Sequence, residues 1–109
     1  MVNMVDEMVY IENIENLIDE FPPDSILSRM VYQDKSMKTI LFGFQPGQEL
    51  SEHTASVPAV LHFIQGQAEL ILGEESTIAQ EGTWVHLPPD LPHSILAKTK
   101  VLMLLTLTL

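Results

Sequence analysis

The chain has no cysteine, so a disulfide framework, a thiolate nucleophile and a zinc ribbon are all excluded. It is also poor in basic residues: five Lys and Arg stand against fifteen Asp and Glu, a formal charge of −10. A nucleic-acid backbone needs a cationic surface, and this chain has too few cations to form one, so no nucleic-acid partner is expected. Aromatic residues make up only 6% of a chain that is 46% hydrophobic, which marks a globular protein built from aliphatic side chains. Long apolar runs are missing too. The longest, "VLMLLTLTL" at residues 101–109, falls far short of the roughly 20 residues of a membrane helix, and no membrane partner is expected. The N-terminus lacks a basic segment followed by an apolar block, so no export signal is expected and the cytoplasm is the expected location.

What is present divides the chain in two. Its 109 residues suit one domain with one core. Asp6, Glu7, Glu12, Glu15, Asp19, Glu20 and Asp24 all precede the first basic residue, Arg29. This acidic stretch reads as a solvated arm, with a docking surface for a basic partner as the alternative. The first eight residues look like a loose arm. Ile11, Ile14, Leu17, Ile18 and Phe21 then recur at helical spacing and predict a short amphipathic helix ended by Pro22 and Pro23. Residues 1–35 are thus expected to form an acidic arm and short helix packed on a barrel of residues 36–109.

From there the period changes. "MKTILFGF", "LSEHTA", "AVLHFIQ", "AELILG", "STIAQ", "TWVHLP", "HSILAK" and "VLMLLTLTL" are short, rich in β-formers, and separated by Pro or Gly turns. Such a series without intervening helices predicts an all-β antiparallel sandwich or barrel. The last segment is apolar at nearly every position, so both faces need cover; a central strand satisfies this.

Two stretches carry the candidate chemistry. "GQELSEHTASVPAVLHFIQG" at 47–66 and "GTWVHLPPDLPHSILA" at 82–97 resemble the two motifs of the cupin superfamily, G-x5-H-x-H-x3-E-x6-G and G-x5-P-x-G-x2-H-x3-N. Gly47, His53 and Gly66 match the first; Ala55 and Ala59 replace its second histidine and its glutamate. Gly82, Pro88 and His93 match the second; Asp90 replaces a turn glycine and Ala97 the asparagine. Asp tolerates the left-handed conformation such a glycine adopts, so "PPDLP" reads as a corner between strands. The resemblance implies a jelly-roll barrel (a double-stranded β-helix), commonly dimeric, in which three histidines and a glutamate hold a divalent metal.

Only His53 and His93 of that set remain. Two imidazoles hold a divalent ion poorly, and catalytic sites usually keep three protein ligands. Three readings stay open, the third of them an idle pocket in a chain whose role lies in its acidic arm. In the first, the barrel binds a small molecule in a pocket of His53, His93, Ser51, Ala55, Ala59, Leu61, Phe63 and Val85, with or without a metal at the degenerate histidine site. In the second, the chain is a metal-dependent oxygenase or isomerase using His53, His93 and a recruited third ligand. The cofactor is accordingly one divalent transition metal (iron, manganese, nickel or zinc) or none. Period-2 alternation turns His62, Trp84 and His86 outward, but a bulge would flip the parity and offer His62 as the missing ligand. Both faces of the last strand, with Val60, Ile64 and Trp84 on the outer face, predict a homodimer.

Overall fold

The computed structural model describes residues 8–109, so most of the expected loose arm, with Asp6 and Glu7, lies outside the described residues. Nine strands follow in order: β1 (Ile26–Gln33), β2 (Met37–Phe44), β3 (Glu49–His53), β4 (Ala59–Gln65), β5 (Ala68–Leu72), β6 (Glu75–Ala79), β7 (Trp84–Leu87), β8 (His93–Ala97) and β9 (Val101–Thr108). They form a five-stranded sheet ordered β1-β2-β9-β4-β7 and a four-stranded sheet ordered β3-β8-β5-β6. Every pairing is antiparallel. The all-β jelly-roll expectation therefore holds. Among the described residues no helix is long and apolar enough to cross a membrane.

The barrel core lies between the sheets. Phe44, Leu61, Phe63, Leu70, Ile95, Val101 and Met103 are buried there, each from an inward position of its strand. The apolar last strand sits at the centre of the five-stranded sheet, which explains why both of its faces are hydrophobic. Its inner face supplies Val101 and Met103 to the barrel; its outer face supplies Leu102 and Leu104 to a second cluster.

That second cluster is made by the N-terminal segment. Ile18 and Phe21 are buried on the outer face of the five-stranded sheet against Leu41 and Leu102, with Ile14, Leu17 and Ile64 packed around them. The segment thus covers part of the apolar surface from which a dimer was expected. Its expected helix is a single 3-10 turn, Ile14–Leu17, whose first amides are capped by the Asn13 side chain at Glu15 N. Isoleucine is stiff in a helix and Asn and Asp compete for backbone bonds, so packing on the sheet wins over helical periodicity.

One strand is not among those expected from the sequence. β1 starts at Ile26, inside the stretch assigned to the arm, and pairs with β2 from Ile26↔Phe44 to Gln33↔Lys38. It is an edge strand with three consecutive exposed residues and a bulge between Met30 and Tyr32. Without alternation there was no period to read.

Turn chemistry matches the motifs. Gly47, Gly66 and Gly82 all have positive φ, and Asp90 has φ 66°, the left-handed value expected of a residue standing where glycine is usual. Gly66 is the most demanding of them. A Cβ there would overlap the Lys100 carbonyl, because the β4–β5 turn crosses directly over the start of β9.

Candidate functional site

The site is built by β3 and β8. His53 and His93 are register partners, and Leu50 pairs with Ile95 one step deeper. Three residues of β3 therefore span what two residues of β8 span. This bulge puts Leu50 and His53 on the same inward side, which a regular strand would not allow. The two imidazole rings lie 4.2 Å apart at an angle of 57°. His93 is buried, 6% exposed, while His53 is open to solvent, so the pair sits at the mouth of the barrel.

Each ring is held in the same way. His53 Nδ1 lies 2.8 Å from the Ser51 carbonyl oxygen and His93 Nδ1 lies 3.0 Å from the Leu91 carbonyl oxygen. A carbonyl oxygen only accepts, so each Nδ1 must carry the proton. In the neutral rings this leaves both Nε2 atoms as lone-pair donors. Metal-bound histidines use their other nitrogen in this manner, with a carbonyl fixing the tautomer.

The corner "PPDLP" positions the pair. The Asp90 amide donates to the Ala55 carbonyl at 2.7 Å, tying the corner before His93 to the loop after His53. Gly73 N, in the β5–β6 turn, donates to the Pro92 carbonyl at 2.8 Å. One short stretch thus turns the chain and aims a histidine.

The other expected site residues separate into groups. Ala55 is half-buried near the mouth and Ala59 is buried at the start of β4, so both vacated ligand positions hold small apolar groups. Leu61 and Phe63 are packed into the barrel core with Leu70, Ile95 and Met103, deeper than a mouth ligand. Val85 faces inward and is half-buried. Ser51 is exposed and meets His53 through its backbone carbonyl. The β3 register shift falls between Leu50 and His53, in the stretch that contains Ser51.

His62 is not brought to the pair. It is exposed on the outer face of β4, opposite Trp84, and His86 is exposed opposite Val60. The β4 bulge falls between Phe63 and Gln65, past His62, so its parity stays outward. Among the described residues no group of three or more His, Asp and Glu is placed to hold a metal ion. The donor set is therefore a two-imidazole half-site, short of the three protein ligands of a catalytic centre.

Glu75 escaped the sequence reading. It pairs with Leu72, which pairs with His93, which pairs with His53, so the four form one inward row across the four-stranded sheet. Counting by twos back from buried Ala79 places Glu75 on that face; only the β5–β6 and β5–β8 registers place it in the histidine row. Two surface grooves lie elsewhere. Concavities of about 430 and 420 Å³ flank the N-terminal segment, one lined by Met8, Val9, Ile11, Val31, Tyr32 and Met37.

Comparisons with known proteins agree with this fold. A family model described as a cupin domain matches residues 40–108. A cupin superfamily protein of Desulfitobacterium hafniense superposes with a TM-score of 0.83 at 21% identity, covering 93% of this chain and 94% of that one. A conserved Streptococcus pyogenes protein of unknown function superposes at 0.75 and 27% identity, over 94% and 96% of the two chains. A salicylate 1,2-dioxygenase of Pseudaminobacter salicylatoxidans superposes at 0.71 and 13% identity, over 75% of this chain and 26% of its own. No curated protein matches by sequence.

Proposed function

The chain belongs to the cupin superfamily, a fold that carries many unrelated activities, and we propose that this member binds a small molecule at its barrel mouth. The ligand is a compact molecule with a hydrogen-bond donor at one end and an apolar body. Its polar end meets the Nε2 atoms of His53 and His93, and its body lies toward Ala55 and Ala59. The observation that carries this reading is the pair of Nδ1–H···O=C bonds, which aligns two acceptors at one mouth. Pockets of this kind are mostly apolar with a few polar groups fixing orientation. A panel of phenols and short alcohols, each beside an analogue lacking the hydroxyl, tests it by thermal shift. Stabilisation by hydroxylated members alone, lost in His53→Ala/His93→Ala, is the expected result. No stabilisation by any member would count against it.

A second reading uses the same atoms. One divalent transition metal, iron, manganese, nickel or zinc, bound by the two Nε2 atoms and completed by water or by the small molecule, is supported by the carbonyl-fixed tautomers. It goes no further toward an oxygenase or isomerase, because those require a third protein ligand and His62 faces away from the pair. Metal counted per chain after purification without chelator separates the two readings.

A further inference from the structure

At the barrel mouth the inward faces of the two sheets end in two rows. On the four-stranded sheet the row reads His53, His93, Leu72 and Glu75. On the five-stranded sheet it reads Gln33, Lys38, Leu107, Ala59 and Leu87. Lys38 takes its inward position from regular alternation along β2, in step with Phe42 and Phe44 of the barrel core. Among the described residues that pair in strands, Lys38, His53, Glu75 and His93 are the titratable ones on inward positions. All four fall in these terminal rows.

The connections fix which strands face one another. Four short ones, residues 45–48, 66–67, 80–83 and 98–100, each join a strand of one sheet to a strand of the other. β2, β9, β4 and β7 therefore lie over β3, β8, β5 and β6, in that order. Lys38 and the histidine pair share one flank of the mouth. Glu75 ends the opposite flank, three strand spacings or about 14 Å from His53. Leu107, Ala59, Leu72 and Leu87 line the space between.

Lys38 is half-buried, and the one ion pair among the described residues, Lys98–Glu69, does not involve it. Asp34, the carboxylate nearest to it in sequence, accepts from the Tyr32 hydroxyl and from the amides of Ser36 and Met37. The glutamate of the first motif would stand in the Lys38 row, two strands away, and Ala59 has removed it. The mouth thus sets an ammonium beside two Nε2 acceptors fixed by backbone carbonyls. A half-buried ammonium gains more from an anion than an exposed one does, because water and salt screen it less.

We propose that the molecule held at this mouth is a small hydroxy acid, an assignment that rests on the barrel-mouth reading and names its ligand class. The carboxylate lies on Lys38 and the hydroxyl donates to the Nε2 atoms of His53 and His93. The apolar body runs along Leu107, Ala59 and Leu72. Glu75 repels a carboxylate from the far flank, so one orientation is favoured.

The test is calorimetry near pH 8 with lactate, 2-hydroxy-4-methylpentanoate and mandelate, each beside its carboxamide, which keeps the hydroxyl and loses the charge. At least one acid should bind the wild type at least about tenfold more tightly than its amide. Lys38→Met keeps an unbranched stem without the ammonium and should abolish that preference, whereas Lys38→Arg should retain it. Equal affinities for acids and amides overturn the hydroxy acid and leave the barrel-mouth reading standing, as does an acid preference unchanged in Lys38→Met. If neither member of any pair binds, the barrel-mouth reading itself fails and the hydroxy acid with it.

Discussion

His53 and His93 are cross-strand partners whose rings lie 4.2 Å apart, and each Nδ1 is bonded to the carbonyl two residues before it. The same local device appears on two adjacent strands, so neither ring can turn its Nε2 away without losing its backbone bond. Both atoms should therefore act on one ligand. Titration with Ni²⁺ should show a single site, and either His53→Ala or His93→Ala should weaken it at least about tenfold. Equal affinity in a single variant and the wild type, by calorimetry, would separate the two rings.

Gly66 closes the β4–β5 turn at φ 91°, against the Lys100 carbonyl. Gly66→Ala adds both strain in the left-handed region and overlap with backbone, which cannot move as a side-chain tip can. A loss of about 3 kcal/mol or more in urea unfolding is expected. A loss under about 1 kcal/mol would mean the turn has another conformation.

Asp90 makes the opposite prediction. Its φ of 66° suits glycine as well as aspartate, so Asp90→Gly should change stability by under about 1 kcal/mol. Asp90→Val should cost more, because a β-branched residue resists that region. Equal melting temperatures for the two variants would contradict the assignment of this corner.

The barrel core was easier to read than the site. Five of the nine strands, β3 to β7, have a Pro or Gly turn at both ends, and Phe63 was legible as inward from its alternation with His62. Phe63→Ala should cost about 3–5 kcal/mol, since its ring is wholly buried between the sheets. Less than about 1.5 kcal/mol in denaturant unfolding would place Phe63 outside the core. β1 was illegible because an exposed, bulged edge strand carries no clear period. The β3 bulge between Leu50 and His53 was illegible because a bulge leaves no signature in the residues that form it. Glu75 joins the histidine row only through strand pairing, which no local pattern encodes.

Asp34 gives the chain one titration with a definite sign. The Tyr32 hydroxyl, foremost, and the amides of Ser36 and Met37 donate to its carboxylate at 2.8, 2.7 and 2.9 Å, holding its pKa below the usual carboxylate value. The folded state therefore binds that proton less readily than the unfolded state does. Its contribution is complete above about pH 4 and is lost as the pH falls through the folded value. Asp34→Asn should flatten the fall in melting temperature between about pH 5 and 3. An unchanged slope would mean these bonds do not persist in solution.

The most direct measurement is the long-range ¹H–¹⁵N spectrum of the histidine side chains near pH 8. His53 and His93 should both show the Nδ1–H tautomer, with Nε2 resonating as an unprotonated ring nitrogen, and both Nε2 signals should move together when Zn²⁺ is added. His62 and His86, exposed on the outer face, should not share that response. An Nε2–H tautomer in either His53 or His93, or a Zn²⁺ shift confined to one of them, would contradict a shared site at the barrel mouth.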